Sequence, residues 1–85
     1  MNLTPDNVLL LTLKPADFGE GTIARLQEIG GKNTIARLRV DGLNLARAML
    51  CSLLEEDRHL LKSVDGFVEV PLKGNGLATV RLVPK

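Results

Sequence analysis

Three consecutive acids, Glu55, Glu56 and Asp57, are the residues of this chain whose types and spacing most resemble reactive groups. Two carboxyl groups that flank a bond can act as acid and base in a hydrolysis reaction. An 85-residue chain offers little room to enclose a substrate around them, and adjacent acids usually face solvent. We therefore expect no catalytic residue in this chain and interpret the three acids as a solvated surface.

His59 and Cys51 are each the only residue of their type. A protein zinc site needs about three or four His, Cys or carboxylate ligands, and no spacing in this sequence supplies them. We expect no metal or cofactor in this chain, with His59 at the surface and Cys51 as a buried, inert thiol. A lone cysteine also excludes an internal disulfide and is compatible with the cytoplasmic location that we expect.

The charge balance and the aromatic content argue against several classes of partner. Eleven basic and ten acidic side chains give a formal charge of +1, too small to attract nucleic acid or an anionic membrane. The only aromatic side chains are Phe18 and Phe67, which can hardly form a stacking platform for bases or sugars. The sequence shows no signal peptide and no apolar run of about 20 residues. We expect no nucleic-acid partner and no membrane association.

The pentapeptide TIARL occurs twice, at residues 22–26 and 34–38. Both copies favour strands, and the glycine-containing segment 30–32 between them is typical of a three-residue hairpin loop. That loop would place the alanine and leucine of both copies on one buried face. It would also place Arg25 directly opposite Arg37 on the outer face.

Two like charges directly opposite each other destabilise a sheet unless something answers them. In one interpretation, Arg25 and Arg37 lie on a solvated face, and Glu28 or Glu69 supplies the counter-charge. In the other, the arginines form a docking face toward another domain. The residues alone leave both interpretations open.

Strand patterns occupy both ends of the chain. Short apolar or alternating runs lie at residues 7–15, 22–29, 34–40, 67–72 and 77–83, separated by Gly, Pro, Asn and Asp. Turn signals every 8–12 residues are typical of a β-sandwich.

The middle of the chain gives a different signal. Residues 43–62 contain no β-branched residue, are rich in helix formers, and place leucines along one stripe. Taken alone, this segment favours an amphipathic helix, which would make the fold α+β.

The first half of the chain resembles a known family. The segment LLLTLKPADFGEGTIARLQEIGG is similar to the opening of the C-terminal β-domain of glycoside hydrolase family 38 α-mannosidases. There, an apolar strand ends in Lys-Pro, and an acidic glycine-containing loop leads to an Arg-Leu-aromatic-Glu strand. The matching segments here are 9–14, 15–21 and 23–28. Gln27 departs from the pattern, because the family often has an aromatic residue there.

The second half of the chain continues the resemblance. CSLLEED, residues 51–57, is similar to a Leu-Leu-Glu strand of the family, with Glu55 at its acid. FVEVPLKGNGLATVRLVP, residues 67–84, is similar to its closing hairpin, whose last strand carries Thr-apolar-Arg-Leu. The resemblance implies that the middle segment is a strand despite its helix propensity.

We therefore expect an all-β chain: one domain, residues 1–85, folded as a small antiparallel β-sandwich of about 6–7 strands. A helix at 43–54, making the fold α+β, is the alternative. The candidate docking or motif residues are Lys14, Arg25, Glu28, Arg37, Glu55 and Arg81.

The resemblance also implies a function. Members of the family are zinc-dependent, retaining α-mannosidases whose zinc ligands and nucleophile lie in an N-terminal α/β barrel that nothing here matches. This chain would be a non-catalytic C-terminal structural domain that packs against the enzyme's remaining domains and could form homo-oligomers. The alternative is a free-standing β-sandwich binding module for carbohydrate or protein.

Overall fold

The computed structural model describes residues 2–40, 42, 44–52 and 54–85. In these ranges the chain forms nine β-strands and no helix, which confirms the all-β expectation. The strands are β1 (Asn2–Thr4), β2 (Val8–Pro15), β3 (Thr22–Glu28), β4 (Thr34–Arg39), β5 (Leu45–Cys51), β6 (Asp57–Leu60), β7 (Ser63–Val64), β8 (Phe67–Leu72) and β9 (Leu77–Pro84). The nine strands exceed the 6–7 that we expected from the sequence. The two additional strands, β1 and β7, have only three and two residues, too few to show a strand pattern in the sequence.

The strands form two antiparallel sheets. The four-stranded sheet has the order β1-β4-β8-β7, and the five-stranded sheet has the order β2-β3-β9-β5-β6. Their inner faces pack together around one core, which confirms the predicted antiparallel β-sandwich. Its buried side chains come from both sheets and include Ala24, Leu26, Ala36, Leu38, Ala48, Val68, Val70, Val80 and Leu82.

The predicted pairing of the two TIARL segments is wrong. Strand β3 lies in the five-stranded sheet and β4 in the four-stranded sheet, so the link at residues 30–33 crosses between sheets. Arg25 is instead in register with Thr12 and Thr79, and Arg37 with Thr4 and Glu69. Alternation fixes which side chains face the core, but two strands in opposite sheets satisfy it as well as two neighbours do.

The predicted closing hairpin is wrong for the same reason. Strands β8 and β9 belong to different sheets, and the turn at residues 73–76 carries the chain across the sandwich. Gly74 marks this crossing, since a Cβ there would lie 2.6 Å from the carbonyl carbon of Gly31. The two crossing links therefore lie against each other at one end of the molecule.

The middle segment contains two strands, β5 and β6, as the family resemblance implied and the helix propensity did not, but Glu55, which the resemblance placed on a Leu-Leu-Glu strand, lies outside both strands. Strand β5 pairs with β9 on one side and β6 on the other. Leu43 and Leu53, which belonged to the predicted helical stripe, lie outside the described residues. Pairing on both edges and burial of Ala48 and Cys51 outweigh a helix propensity difference of less than about 1 kcal/mol per residue.

The central strand β9 is covered on both faces. Val80 and Leu82 face the core, while Thr79, Arg81 and Val83 face the opposite way and are still buried. Around Ile23 and Arg81, the outer face of the five-stranded sheet is covered by the protein's own loops, at residues 16–21 and 54–56, whereas Leu9, Leu60 and Leu77 on the same face are exposed. No helix in the described ranges has the length and apolar character needed to cross a membrane.

Candidate functional site

Glu28, at the end of β3, is completely buried and holds one end of the sandwich together. Its carboxylate accepts hydrogen bonds from the backbone N–H groups of Gly30 at 2.8 Å, Lys32 at 3.0 Å and Asn75 at 2.9 Å. The side-chain amide of Asn7 donates a further hydrogen bond. One carboxylate thus joins the two links that cross between the sheets to the start of β2.

The environment of Glu28 strongly favours the charged carboxylate. Burial opposes ionisation, but the hydrogen bonds from Asn75, Asn7, Gly30 and Lys32 outweigh it and lower the pKa from 4.5 to about 2. Every one of these donors belongs to the domain itself. Glu28 is therefore a buried structural carboxylate, and it does not lie on the solvated face where one interpretation placed it.

Glu55 forms a second buried tie, on the outer side of the five-stranded sheet. Its carboxylate accepts hydrogen bonds from Lys14 Nζ at 2.9 Å, from the backbone N–H of Asp17 at 2.8 Å and from that of Phe18 at 3.2 Å. Glu55 has a φ of 63°, a left-handed conformation that L-residues seldom adopt. The expectation of a solvated surface is therefore wrong for Glu55, although Glu56 beside it is exposed.

The charges around Glu55 stabilise one another. The hydrogen bond from Lys14 outweighs the effect of burial and, with the two backbone N–H groups, lowers the pKa of Glu55 to about 2. The pKa of Lys14 is raised by its hydrogen bonds to Asp17 and Glu55. Lys14 therefore bridges the loop at 16–21 and the turn at 52–56.

Arg81 of β9 lies beneath both loops and is almost fully buried. Its Nε donates to Asp57 Oδ1 at 2.8 Å, one Nη donates to the carbonyl of Glu55 at 2.7 Å, and the other donates to the carbonyl of Glu20. Burial opposes its charge, but the hydrogen bond to Asp57 raises the pKa of Arg81. The guanidinium group of Arg81 thus contacts the same two loops that the buried carboxylate of Glu55 joins.

A shallow cavity of about 320 Å³ lies above Arg81, with Phe18, Glu20, Met49 and Asp57 in its lining. The polar groups that could recognise a ligand there are already bonded within the protein: Asp57 to Arg81, and Glu20 to Arg47. This cavity belongs to the tie between the two loops.

The outer face of the four-stranded sheet is open. Arg37 and Arg39 are exposed, and their guanidinium carbons lie 4.6 and 5.6 Å from the centre of the Phe67 ring. These distances place both cations within the range of favourable interaction with an aromatic face. Glu69, one of the two predicted counter-charges, is the cross-strand neighbour of Arg37.

The six predicted residues fall into separate groups. Lys14, Glu55 and Arg81 meet at the loops over the five-stranded sheet. Glu28 lies with the crossing links at residues 30–32 and 75, and Arg37 lies on the open face of the other sheet. Arg25 is half-buried on β3, on the opposite sheet from Arg37.

Asp57, Asn7 and Phe67 contact the predicted residues Arg81, Glu28 and Arg37, and sequence reasoning missed these contacts. Arg81 gave a usable signal for Asp57, because an arginine within the apolar run at 77–83 needs a buried acceptor. No local signal points to Asn7, whose partner Glu28 is 21 residues away. The parity of Phe67 with Glu69 could have placed it on the open face.

The described residues contain no group of three or more His, Cys, Asp or Glu side chains that could hold a metal ion. Cys51 is buried, as predicted, and burial together with Asp57 raises the pKa of its thiol. His59 is exposed, as predicted. The charged side chains with several partners serve to hold loops, so the arrangement is one of structural support.

The comparisons with known proteins agree with this geometry. Residues 7–80 match the family described as the glycosyl hydrolases family 38 C-terminal beta sandwich domain. No match was found among curated proteins. The match spans both sheets and includes all the residues that tie the loops, from Asn7 to Asp57, except Arg81. The chain therefore belongs to the family of C-terminal β-sandwich domains of family 38 glycosyl hydrolases.

Proposed function

We propose that this chain supports a family 38 glycoside hydrolase by packing against the domains that carry out catalysis. The observation that carries the proposal is the family match over residues 7–80. The hydrogen bonds of Glu28, Glu55 and Arg81 support it, since they bind these side chains to the domain's own backbone.

We further propose that the complete enzyme hydrolyses α-mannosides with a zinc ion held in its catalytic domain. The support is the order and spacing of four sequence motifs that resemble the C-terminal β-domain of family 38 α-mannosidases. In this chain the motif residues Lys14, Glu28, Glu55 and Arg81 all have structural partners, and none of them is assigned a part in the reaction.

The test compares the complete enzyme with this 85-residue chain, using an aryl α-mannoside as substrate. We expect zinc-dependent hydrolysis by the complete enzyme and none by the chain alone. Hydrolysis by the chain alone would overturn the proposal. Activity of the complete enzyme on another glycoside, or after removal of zinc by a chelator, would overturn the assignment of α-mannosides or of zinc.

A free-standing binding module for protein is the second candidate, and the exposed Arg37 and Arg39 favour it. A sugar-binding module is less well supported, because Phe67 is already stacked against both arginines. The gene decides between an enzyme domain and a module: an open reading frame with no glycosidase domain would favour the module.

A further inference from the structure

The two sheets of the sandwich differ in how their outer faces are covered. On the five-stranded sheet, Ile23, Thr79 and Arg81 point outward and are buried under the protein's own loops. On the four-stranded sheet, the outward-pointing Ile35 and Arg37 are exposed, and Ile35 is 64% exposed. The outer face of the four-stranded sheet is thus open to a neighbour along β4, although Leu9, Leu60 and Leu77 on the outer face of the five-stranded sheet are exposed as well.

This open surface, called here the arginine face, combines cations with apolar groups. It consists of the outward-pointing residues of β1, β4 and β8 with the adjoining Lys73: Asn2, Thr4, Ile35, Arg37, Arg39, Phe67, Glu69, Pro71 and Lys73. Ile35 lies directly opposite Pro71, and the two line an open groove of about 470 Å³ beside Lys73. An exposed apolar pair on neighbouring strands is a feature of interaction surfaces.

The arginines of this face are already positioned for recognition. Both guanidinium groups lie over the Phe67 ring, which restricts their rotamers before any partner binds. A planar guanidinium that is held in place loses less entropy when it binds a carboxylate, and arginine is enriched in protein interfaces for this reason among others. A carboxylate-bearing surface is the chemistry that such groups recognise best.

The charge distribution favours the same class of partner. Arg37, Arg39 and Lys73 against Glu69 give the arginine face a formal charge of +2, whereas the whole chain carries +1. The rest of the domain is therefore net negative. A second copy of this chain, docked face to face about a two-fold axis, would set arginines against arginines, which opposes a symmetric dimer through this face.

We propose that the arginine face docks on an acidic, partly apolar surface of the enzyme's remaining domains. This inference rests on the proposed function and adds to it the surface that is used and the chemistry of the partner surface. Arg37 and Arg39 supply the charge-assisted hydrogen bonds, and Ile35 with Pro71 supplies the apolar contact.

The first experiment labels arginines with a dicarbonyl reagent in the 85-residue chain and in the complete enzyme, with mass spectrometry as readout. We expect Arg37 and Arg39 to react about fivefold or more slowly in the complete enzyme, because a docked interface excludes the reagent. Arg58, which is exposed on β6 of the other sheet, is the matched control and reacts equally in both.

The outcomes separate the two proposals. Protection of Arg58 with no protection of Arg37 or Arg39 overturns the arginine face but leaves the packing function standing. Equal labelling of all three arginines in both proteins likewise overturns the arginine face, and the packing function is overturned as well if hydrogen exchange along the whole chain is also the same in both proteins.

The second experiment introduces Arg37→Glu with Arg39→Glu into the complete enzyme, with Arg58→Glu as the control. We expect limited proteolysis to release the domain about tenfold faster from the double variant, because two attractive contacts become repulsive. A rate equal to that of the control overturns the inference. Should the double variant fail to fold, as judged by circular dichroism, labelling of the unmodified enzyme still decides.

A third measurement tests the other occupants of this face. Sedimentation of the 85-residue chain, alone and with phosphatidylserine vesicles, is compared with that of the double variant. We expect a monomer that does not bind the vesicles. A dimer, or vesicle binding, that the double variant abolishes would overturn the acidic domain as the occupant.

Discussion

Glu28 shows how much structure a single carboxylate can hold at the residue scale. It accepts hydrogen bonds from segments that are far apart in sequence, at Asn7, residues 30–32 and Asn75. A neutral side chain at this position cannot satisfy the same donors, because only the carboxylate accepts on both oxygens. The ionised form of Glu28 should therefore raise the stability of the fold by a measurable amount.

We expect Glu28→Gln to lower Tm strongly near neutral pH. The folded-state pKa of about 2 lies below the ordinary value of 4.5, so the carboxylate stabilises the fold above about pH 4.5. That contribution is lost as the pH falls toward 2, and the gap in Tm between the two proteins should shrink over this window. Glu56→Gln, at an exposed acid, is the control. A gap that does not change with pH would contradict the assignment.

Gly21 is constrained by both its conformation and its surroundings. Its φ is 88°, and a Cβ there would lie 2.4 Å from the carbonyl oxygen of Leu82. We expect Gly21→Ala to destabilise the protein by about 2–5 kcal/mol, from left-handed strain plus overpacking.

Gly42 provides a control for the strain at Gly21. Its φ is 78°, but a Cβ added there would meet no atom of the described residues within 4 Å, so Gly42→Ala should cost only about 1–2 kcal/mol. Denaturant unfolding of both variants measures the difference. If Gly21→Ala and Gly42→Ala lose the same free energy of unfolding, the backbone near Leu82 moves away from the new Cβ without an energetic cost.

At the scale of elements, the loops over the five-stranded sheet depend on Glu55. We expect Glu55→Ala to speed hydrogen exchange at the backbone amides of Asp17 and Phe18 by about tenfold or more, because both amides lose a charged acceptor. Glu56→Ala, on the same turn, should leave these amides unchanged. Unaltered exchange in Glu55→Ala would mean that other contacts hold the loop.

Sequence patterns predicted which side chains face the core but not which strands are neighbours. The alternation in 34–40 correctly places Ala36 and Leu38 in the core, and Ala24 and Leu26 join them there. The two pairs come from opposite sheets, so the two TIARL segments contribute to the same core from its two sides and do not pair edge to edge. Periodicity carries no information about which sheet a strand joins.

The sequence identified several residues of the candidate site, but it did not predict that they lie together in the fold. The family resemblance marked Lys14, Glu55 and Arg81 as motif residues, yet nothing local to any of them indicates that they meet. Helix propensity misassigned residues 43–62 because it omits the pairing of β5 with β9. Both the meeting of Lys14, Glu55 and Arg81 and the strand conformation of β5 depend on contacts between distant segments, 26 to 41 residues apart for the hydrogen bonds of Glu55. Local propensities do not include such contacts.

At the scale of the whole molecule, the fold is built from pairings between distant segments. Strand β3 pairs with β9, and β1 pairs with β4, so much chain must be ordered before the contacts form. We expect folding in milliseconds to seconds, as for other all-β sandwiches. Stopped-flow refolding monitored by far-UV circular dichroism measures the rate. Folding within microseconds would contradict this topology.

The position of β9 has a consequence for how the protein folds during its synthesis on the ribosome. This strand comes last in chain order among the described strands, and it lies between β3 and β5, which share no other neighbour in the described sheets. While a ribosome is still making residues 77–84, β3 and β5 have no common partner, and the core beside Ala24 and Leu26 lacks Val80 and Leu82. The nascent domain therefore exposes apolar surface and open strand edges, the features that chaperones shield, until its final strand emerges and closes the sheet in one step.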